Sequence, residues 1–302
     1  MRQIAVVSGK GGTGKTSITA AFVQLAAPPV VSVDADVDAS NLALLLAGVD
    51  EPWREFSASR VSRIDPARCN LCRRCLDACR FGALSVADGT FVVRDIACEG
   101  CGVCAVVCRQ EAVSFVARPS GRWTVRATRR GPMVHATLAV GGGTSGKLVA
   151  TLRDTARGIA QHVGAAWLLI DGPPGIGCPV HAAITGVDLL LAVTEPTPSA
   201  LHDLARVLDL ARRFRLPAAV ILNKSDLDPA TTERVAAAAA LRGAVVLGRV
   251  PFDPAVPRAL AAGESPLAVP GVGQALAEAW GLVERHVDQL AEVRGGRADA
   301  VV

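Results

Sequence analysis

Residues 8–17 carry glycines and lysines at a spacing that suits phosphate binding. They read Ser-Gly-Lys-Gly-Gly-Thr-Gly-Lys-Thr-Ser and contain the pattern Gly-x-x-x-x-Gly-Lys-Thr. Glycines let backbone N–H groups turn towards an anion at the start of a helix, where the positive end of the helix dipole also lies. Lys15 would reach the β- and γ-phosphates of a nucleotide, and the Thr16 hydroxyl would bind Mg²⁺. The nucleotide-binding candidates are Gly9, Gly11, Gly12, Thr13, Gly14, Lys15, Thr16 and Ser17.

A loop of this kind needs a strand before it and a helix after it. An apolar run at 4–7 precedes the loop, and a helical pattern at 18–26 follows it. Further buried strands are predicted from the apolar runs at 30–33, 167–170, 189–193, 218–222 and 244–250. We therefore expect an α/β fold with a doubly wound, mostly parallel sheet of about seven strands.

The loop contains a second lysine, Lys10, directly after Gly9. It resembles the deviant Walker A loop, Lys-Gly-Gly-x-Gly-Lys-Ser/Thr, of the MinD/ParA/Mrp-type P-loop ATPases of the SIMIBI class. In that group the additional lysine crosses a dimer interface to the partner's nucleotide. The resemblance implies an ATPase that works as a homodimer with ATP at the interface, in which Lys10 and Lys15 are catalytic.

Carboxylates follow two of the predicted strands, where a Mg²⁺-bound water must be positioned. Asp34 and Asp36 lie in a segment that resembles switch I of the same group. On that match Asp36 orients the attacking water, and Asp34 supports the metal shell. Asp171 opens the string Asp-Gly-Pro-Pro-Gly, which resembles switch II, and is predicted to be the Walker B carboxylate on Mg²⁺.

The string Asn223-Lys-Ser-Asp226 follows another predicted strand. In the MinD-type group the asparagine of such an Asn-Lys pair reads adenine, whereas the full Asn-Lys-x-Asp string is also how GTPases read guanine. The lysine-rich loop favours ATP, and GTP stays open. Pro251 and Phe252 would form a wall of the base pocket.

Eight of the nine cysteines fall into two runs with the spacing Cys-x-x-Cys-x-x-Cys-x-x-x-Cys, and the second run repeats the first at an offset of 29 residues. Disulfides are a poor explanation in a reducing compartment, so metal or redox chemistry is favoured. Tetrahedral zinc sites are the alternative to iron–sulfur clusters, although three cysteines in a row at this spacing suit a cubane better.

The repeat resembles the bacterial two-cluster ferredoxins over residues 61–116. In that fold the fourth cysteine of each run ligates the other cluster. The resemblance implies one [4Fe–4S] cluster on Cys69, Cys72, Cys75 and Cys108, and a second on Cys98, Cys101, Cys104 and Cys79. Arg80 and Arg109 replace the proline that usually follows the fourth cysteine, so the cluster potentials do not follow from the family pattern.

Composition excludes several classes. The net charge of +4 is too mild to indicate nucleic-acid binding. No apolar run approaches the roughly 18 residues of a membrane span, and the N-terminus lacks a signal-peptide pattern. We therefore expect a cytoplasmic protein that binds neither nucleic acid nor membrane.

Four features outside these motifs receive structural interpretations. The string at 141–147 is a second Gly-x-x-x-x-Gly-Lys, but Leu148 stands where a Mg²⁺-binding hydroxyl is needed, so we interpret it as a turn before a helix at 148–163. Cys178 is predicted to be a small buried residue rather than a ligand. Ser199 is predicted to cap a helix, and residues 118–132 are predicted to be a return path to the main domain.

These patterns predict two domains. Residues 1–59 and 118–302 would form the P-loop ATPase domain, and residues 60–117 an inserted ferredoxin domain. The leading hypothesis is an ATPase that couples nucleotide state in a dimer to electron transfer through two [4Fe–4S] clusters, to an unidentified redox or acceptor protein. The alternative is an Mrp-type cluster carrier or assembly ATPase, which relies on a C-terminal Cys-x-x-Cys that is missing here. Positional organisation, as in ParA, has no support in the sequence.

Overall fold

The computed structural model describes residues 1–139 and 145–298. Its strands are β1 (Arg2–Ser8), β2 (Val30–Asp34), β3 (Gly48–Asp50), β4 (Arg54–Phe56), β5 (Ser59–Ile64), β6 (Leu84–Ala87), β7 (Thr90–Val93), β8 (Val113–Arg118), β9 (Gly121–Thr128), β10 (Gly131–Leu138), β11 (Trp167–Pro174), β12 (Leu189–Thr194), β13 (Ala218–Asn223) and β14 (Val245–Val250).

The helices alternate with the strands over much of the chain. They are α1 (Lys15–Leu25), α2 (Leu42–Leu45), α3 (Arg74–Asp77), α4 (Val103–Val106), α5 (Ser145–His162), α6 (Cys178–Ile184), α7 (Pro198–Arg213), α8 (Pro229–Ala240), α9 (Ala255–Ala261) and α10 (Pro270–Ala298), with 3₁₀ turns at Asp95–Ala97 and Pro266–Ala268. Among the described residues, no helix is both long and apolar enough to span a membrane.

The chain divides into two compact units. The larger unit comprises Met1–Trp53, Trp123–Thr137 and residues 145–298, and the smaller unit comprises Arg54–Arg122 with residues 138–139. The assignment of 60–117 to a separate ferredoxin domain stays a prediction.

The larger unit is built on a twisted sheet with the strand order β14-β13-β12-β1-β11-β2-β10-β9-β3. Neighbouring strands from β14 to β10 run parallel, and β3 pairs antiparallel with β9. The central strands β2, β11 and β12 are buried along almost their whole length, as expected for parallel strands covered by helices. The predicted α/β class with a mostly parallel sheet is confirmed.

Residues 118–132 are not a return path, as the sequence suggested. They contain all of β9 and the start of β10, which extend the sheet beyond β2. The arginines and threonines of this stretch hid the alternation of a strand that is buried on one face. Thr124 is fully buried, and its hydroxyl donates to the backbone carbonyl of Glu51 at 2.8 Å.

Asp50 ties this extension together. Its two carboxylate oxygens accept from Nε and Nη2 of Arg126 at 2.6 and 3.0 Å, and Nε2 of His135 lies 3.0 Å from Oδ1. The hydrogen bonds from Arg126 are the largest cause of a pKa for Asp50 of about 2.

The smaller unit repeats one motif twice. Strand β5 pairs antiparallel with β8, and β6 with β7. Helices α3 and α4 begin 29 residues apart, each after a residue with left-handed backbone, Arg73 and Gly102. The buried apolar cluster recorded here is small, consisting of Val61, Ala83 and Cys98, which is typical of a unit that needs additional cross-links for stability.

We predict that Asp50→Asn lowers the free energy of unfolding by about 1–2 kcal/mol at pH 7, because it weakens a charge-assisted, bidentate pair. Since the folded-state pKa lies below the unfolded value of about 4, the stabilisation is present above that pH and is lost as pH falls towards 2. The free energies of unfolding of the wild type and of Asp50→Asn, measured by chemical unfolding, should therefore converge in acid. The control Asp209→Asn removes partly exposed pairs with Arg212 and Arg242 at 3.8 and 3.7 Å and should change stability little; equal losses from both variants would contradict the assignment.

Candidate functional site

The glycine loop joins β1 to α1, and its glycines are required by close approaches. Gly14 has a left-handed backbone with φ of +86°, and a Cβ there would lie 2.3 Å from Nδ2 of Asn223. A Cβ on Gly9 would lie 2.4 Å from Cβ of Asp203. A larger residue at Gly14 would adopt a strained backbone and displace the Asn223 side chain, and one at Gly9 would clash with the backbone of α7 at Asp203.

The loop lysine meets the carboxylate at the end of β11. Nζ of Lys15 lies 2.9 Å from Oδ1 of Asp171, and the Thr16 hydroxyl donates to Oδ2 at 2.6 Å. Thr19, one turn further along α1, donates to Oδ1 at 3.0 Å. The side chain of Asp171 is 0% exposed and that of Lys15 is 6% exposed, so water screens this cluster little.

Asp34 and Asp36 complete the acidic side of the cluster. Oδ2 of Asp36 lies 3.6 Å from Nζ of Lys15. Burial disfavours the charged ammonium, but the carboxylates of Asp171, Asp36 and Asp34 outweigh it and raise the pKa of Lys15. Burial and the neighbouring Asp171 raise the pKa of Asp34 to about 7. This crowding of carboxylates is the arrangement that a divalent cation relieves.

Asp34 also stabilises the turn that follows β2. Its carboxylate accepts from the Ser40 hydroxyl at 2.7 Å and from the backbone N–H groups of Leu42 and Asp36 at 2.9 and 3.2 Å. These contacts shape the loop that carries Asp36. A direct place for Asp34 in a metal shell stays a prediction.

Lys10 lies against its own chain. Its Nζ is 2.8 Å from Oε1 of Glu195 and 3.2 Å from the hydroxyls of Thr197 and Ser199. Glu195 binds a second lysine as well, since Nζ of Lys224 is 2.7 Å from Oε2 and also donates to the carbonyl of Gly12 at 3.3 Å. Burial opposes ionisation of Glu195, but the two ammonium groups hold its pKa below the ordinary value.

A cavity of about 240 Å³ opens beside the loop and is lined mainly by apolar side chains, together with Gly12, Gly14, Ser17, Asn223, Lys224, Pro251, Phe252 and Asp253. Its size and lining suit a nucleobase. Nδ2 of Asn223 donates to the carbonyl of Thr13 at 2.8 Å, and Oδ1 of Asp226 accepts from the N–H of Phe252 at 2.6 Å. Both predicted base-reading residues therefore also hold loops in place.

The eight repeat cysteines line two cavities in the smaller unit. One is lined by Cys69, Cys72, Cys75 and Cys108, and the other by Cys79, Cys98, Cys101 and Cys104. Each cavity thus receives three cysteines of one run and the fourth of the other. Within the described part of the chain, no three Cys, His, Asp or Glu side chains converge as a formed metal centre, so the cavities indicate only which thiols share a space.

In each cavity, one backbone N–H group contacts a cysteine sulfur. The N–H of Ala83 lies 3.4 Å from Sγ of Cys79, and the N–H of Ala112 lies 3.4 Å from Sγ of Cys108. Thiolate sulfur is a donor that suits iron or zinc, and not magnesium or calcium.

Two further sequence interpretations were wrong. Cys178 is exposed rather than buried, because it begins α6 at the surface. The cap of α7 is Thr197 and not Ser199, since the Thr197 hydroxyl accepts from the N–H of Ala200 at 3.2 Å. Residues 141–144 of the second glycine string lie outside the described residues; the helix predicted after them is confirmed as α5.

Sequence reasoning did not identify the roles of Thr19 and Glu195. Thr19 lies four residues after Lys15, on the same face of α1, and that spacing is a usable signal. Glu195 directly follows β12, at the edge of the sheet where the other site residues lie. Nothing in its sequence context indicates that it binds two lysines.

Comparisons with known proteins agree with this geometry. Residues 4–267 match the CobQ/CobB/MinD/ParA nucleotide binding domain, CbiA. The uncharacterized protein MJ0578 of Methanocaldococcus jannaschii is 31% identical over 228 residues, which are 75% of this chain and 79% of that protein. The uncharacterized protein MJ0579 of the same organism is 25% identical over 227 residues, or 74% of this chain and 80% of that protein.

Solved structures share the fold. The Pyrococcus furiosus cell division ATPase MinD is 19% identical, with a TM-score of 0.57 over 94% of this chain and 98% of its own. The septum site-determining protein MinD of Pyrococcus horikoshii, complexed with Mg-ADP, is 19% identical with a TM-score of 0.57 over 97% and 98%.

We predict that Thr19→Val weakens binding of Mg²⁺-nucleotide about three- to tenfold, because one hydrogen bond that orients Asp171 is worth about 1 kcal/mol. Calorimetric titration with Mg-ADP would measure this loss. The Thr19 hydroxyl also lies 3.0 Å from the carbonyl of Lys15, four residues earlier. Thr151→Val is the matched control, because the Thr151 hydroxyl makes the same contact with the carbonyl of Lys147 at 3.1 Å on the exposed surface of α5. Unchanged affinity in Thr19→Val, or an equal loss in the control, would contradict the role.

Proposed function

We propose, for a chain that belongs to the CobQ/CobB/MinD/ParA nucleotide-binding family, a Mg²⁺-dependent ATPase activity that acts on an iron–sulfur unit in the same polypeptide. The observation that carries the ATPase assignment is the convergence of Lys15, Thr16 and Asp171 at the end of the glycine loop. A phosphate-binding lysine, a hydroxyl and a buried carboxylate at one point are the parts that phosphoryl transfer needs.

The roles follow from the positions. Backbone N–H groups of the loop and the Lys15 ammonium would bind the β- and γ-phosphates, with Lys15 exchanging Asp171 for phosphate oxygens. Thr16 and Asp171 offer the hard oxygen donors that Mg²⁺ prefers. Bound there, Mg²⁺ would neutralise charge on the phosphate oxygens. Asp36 would orient the attacking water, which its half-buried position beside Lys15 supports.

The contacts of Asp226 favour adenine over guanine. Guanine recognition in Asn-Lys-x-Asp proteins uses the aspartate as an acceptor towards the base edge. Here one carboxylate oxygen of Asp226 already accepts from the backbone of Phe252. Pro251, Phe252 and the apolar side chains of the same cavity provide a wall against which a base can stack without that aspartate.

The proposed active form is a homodimer in which Lys10 reaches the partner's nucleotide. Lys10 must then leave Glu195, with which it pairs within one chain at 2.8 Å. Both partners of this pair are partly exposed, at 30% and 14%, so the contact is weak enough to be exchanged for a phosphate.

We predict that Lys10→Ala abolishes ATP-dependent dimerisation and lowers ATP turnover at least about 100-fold, the range found when one transition-state donor is removed. Light scattering with ATP and a phosphate-release assay would measure the two effects. Lys147→Ala, in the second glycine string, serves as the control and should behave as the wild type. A Lys10→Ala protein that still dimerises with ATP would rule out the shared site.

For the predicted insertion at 60–117, which lies within the smaller unit, we propose two [4Fe–4S] clusters that carry single electrons. Support comes from the division of the eight thiols between two cavities, each with three cysteines of one run and one of the other. The sequence places this insertion between Asp36 and Asp171, the two carboxylates that respond to nucleotide. ATP turnover in the dimer would thus gate electron delivery to an acceptor protein.

Metal analysis tests the cofactor. We predict about eight iron atoms and as much acid-labile sulfide per chain after anaerobic isolation, with an EPR signal on reduction. Cys75→Ala should lose iron from one cluster, because Cys75 is buried in the first cavity. The exposed Cys178, which lines neither cavity, provides the matched control, and Cys178→Ala should keep all its iron. Zinc in place of iron would overturn the proposal.

A second candidate function is cluster donation by an assembly ATPase. It is favoured by the exposure of Cys72 and Cys101, one in each cavity, since exposed ligands can be replaced by an acceptor's thiols. Transfer of labelled iron to an apo-acceptor protein, compared with electron transfer to an oxidised one, separates the two candidates.

A further inference from the structure

The two cysteine cavities are related by the internal repeat, and the two halves differ at a position from which a hydroxyl contacts sulfur. The offset of 29 residues that aligns the cysteine runs also aligns Ser62 with Phe91. Ser62 lines the cavity of Cys79, Cys98, Cys101 and Cys104. Phe91 lines the other cavity. Equivalent places in the two halves therefore present a hydroxyl to one set of thiols and a phenyl ring to the other.

The hydroxyl of Ser62 is in contact with a thiol. Its Oγ lies 3.7 Å from Sγ of Cys98, and the residue is 2% exposed, on β5. A metal-bound cysteine is a thiolate without a proton, so Ser62 has to be the donor when the site is loaded. One backbone contact is the same in both cavities, because the N–H groups of Ala83 and Ala112 both reach their sulfurs at 3.4 Å.

We propose that Ser62 sets the reduction potential of the cluster held by Cys79, Cys98, Cys101 and Cys104, and so makes the two clusters inequivalent. The inference rests on the proposed iron–sulfur function. One-electron reduction adds a negative charge that is shared with the thiolate sulfurs, and an O–H donor stabilises that charge more strongly in the reduced state. The hydroxyl therefore raises the potential of its own cluster, which Phe91 cannot do for the other.

Charged residues near the cavities do not replace this effect. Arg74 lines the first cavity and Glu99 the second, and both side chains are exposed. Solvent and salt screen exposed charges, whereas the buried hydroxyl acts at contact distance.

The test is an EPR-monitored redox titration of the full-length, anaerobically reconstituted protein. Ser62→Thr keeps a hydroxyl and Ser62→Val removes it at nearly the same volume, so the pair separates the hydrogen bond from packing. We expect Ser62→Val to move one of two one-electron steps to a more negative potential, by up to about tenfold in the reduction equilibrium or about 59 mV. Ser62→Thr should titrate as the wild type.

Ser59→Ala is the control on the same strand, because the Ser59 hydroxyl contacts Ser120 and no cysteine; it should leave both steps unchanged. Iron and sulfide content are measured on every variant. Full iron loading with equal potentials in Ser62→Val and Ser62→Thr, or an equal shift of both steps, would overturn the role of Ser62 while leaving the clusters in place. A wild-type chain without iron would overturn the proposed function itself.

Discussion

The fully buried carboxylate of Asp171 accepts hydrogen bonds from three side chains on the first two turns of α1, namely Lys15, Thr16 and Thr19. An uncompensated buried carboxylate would cost several kcal/mol, so these donors hold the end of β11 against the start of α1. The glycine loop is confined between these two points. Its left-handed residues and its close approaches to Asn223 and Asp203 follow from that confinement.

The same carboxylate connects the structure to its proposed chemistry. Lys15 and Thr16 are the groups that a nucleotide and its metal would contact, and both are bonded to Asp171 in the described state. Binding of Mg²⁺-nucleotide would therefore exchange partners around Asp171 without moving the strand that carries it. The segment that presents Asp36 is held in place by the hydrogen bonds of Asp34.

Much of this site could be predicted from sequence, because phosphate binding constrains residues that are close along the chain. The loop from Gly9 to Thr16 and the strand-end position of Asp171 are local patterns. The contact between Lys10 and Glu195 could not be predicted, since it joins residues 185 positions apart and depends on how β12 meets the loop. The burial of Cys178 was wrongly predicted for a related reason. A single cysteine has no sequence pattern that indicates its exposure, which depends on where α6 begins.

The cysteine repeat is a second case in which the sequence predicts residue types but not their contacts. Their spacing identifies sulfur ligands, yet it does not say which four thiols share a cavity; that division depends on how the two halves fold onto each other. It also could not show that Ser62, rather than an apolar residue, faces one of the cavities. Short strands and a small buried cluster leave the smaller unit with little apolar surface to bury, so sulfur chemistry would supply part of its stability.

Glu195 affects how strongly the glycine loop attracts anions. The ammonium groups of Lys10, Lys15 and Lys224 lie close to one phosphate-binding turn. Together they would attract any small anion in solution. The pairing of Glu195 with Lys10 and Lys224 removes one unit of positive charge from that field. Free phosphate therefore meets a weakened electrostatic attraction, while a nucleotide gains the base cavity as well. With part of the loop's charge offset by Glu195, the binding of a nucleotide would depend more on its contacts in the base cavity.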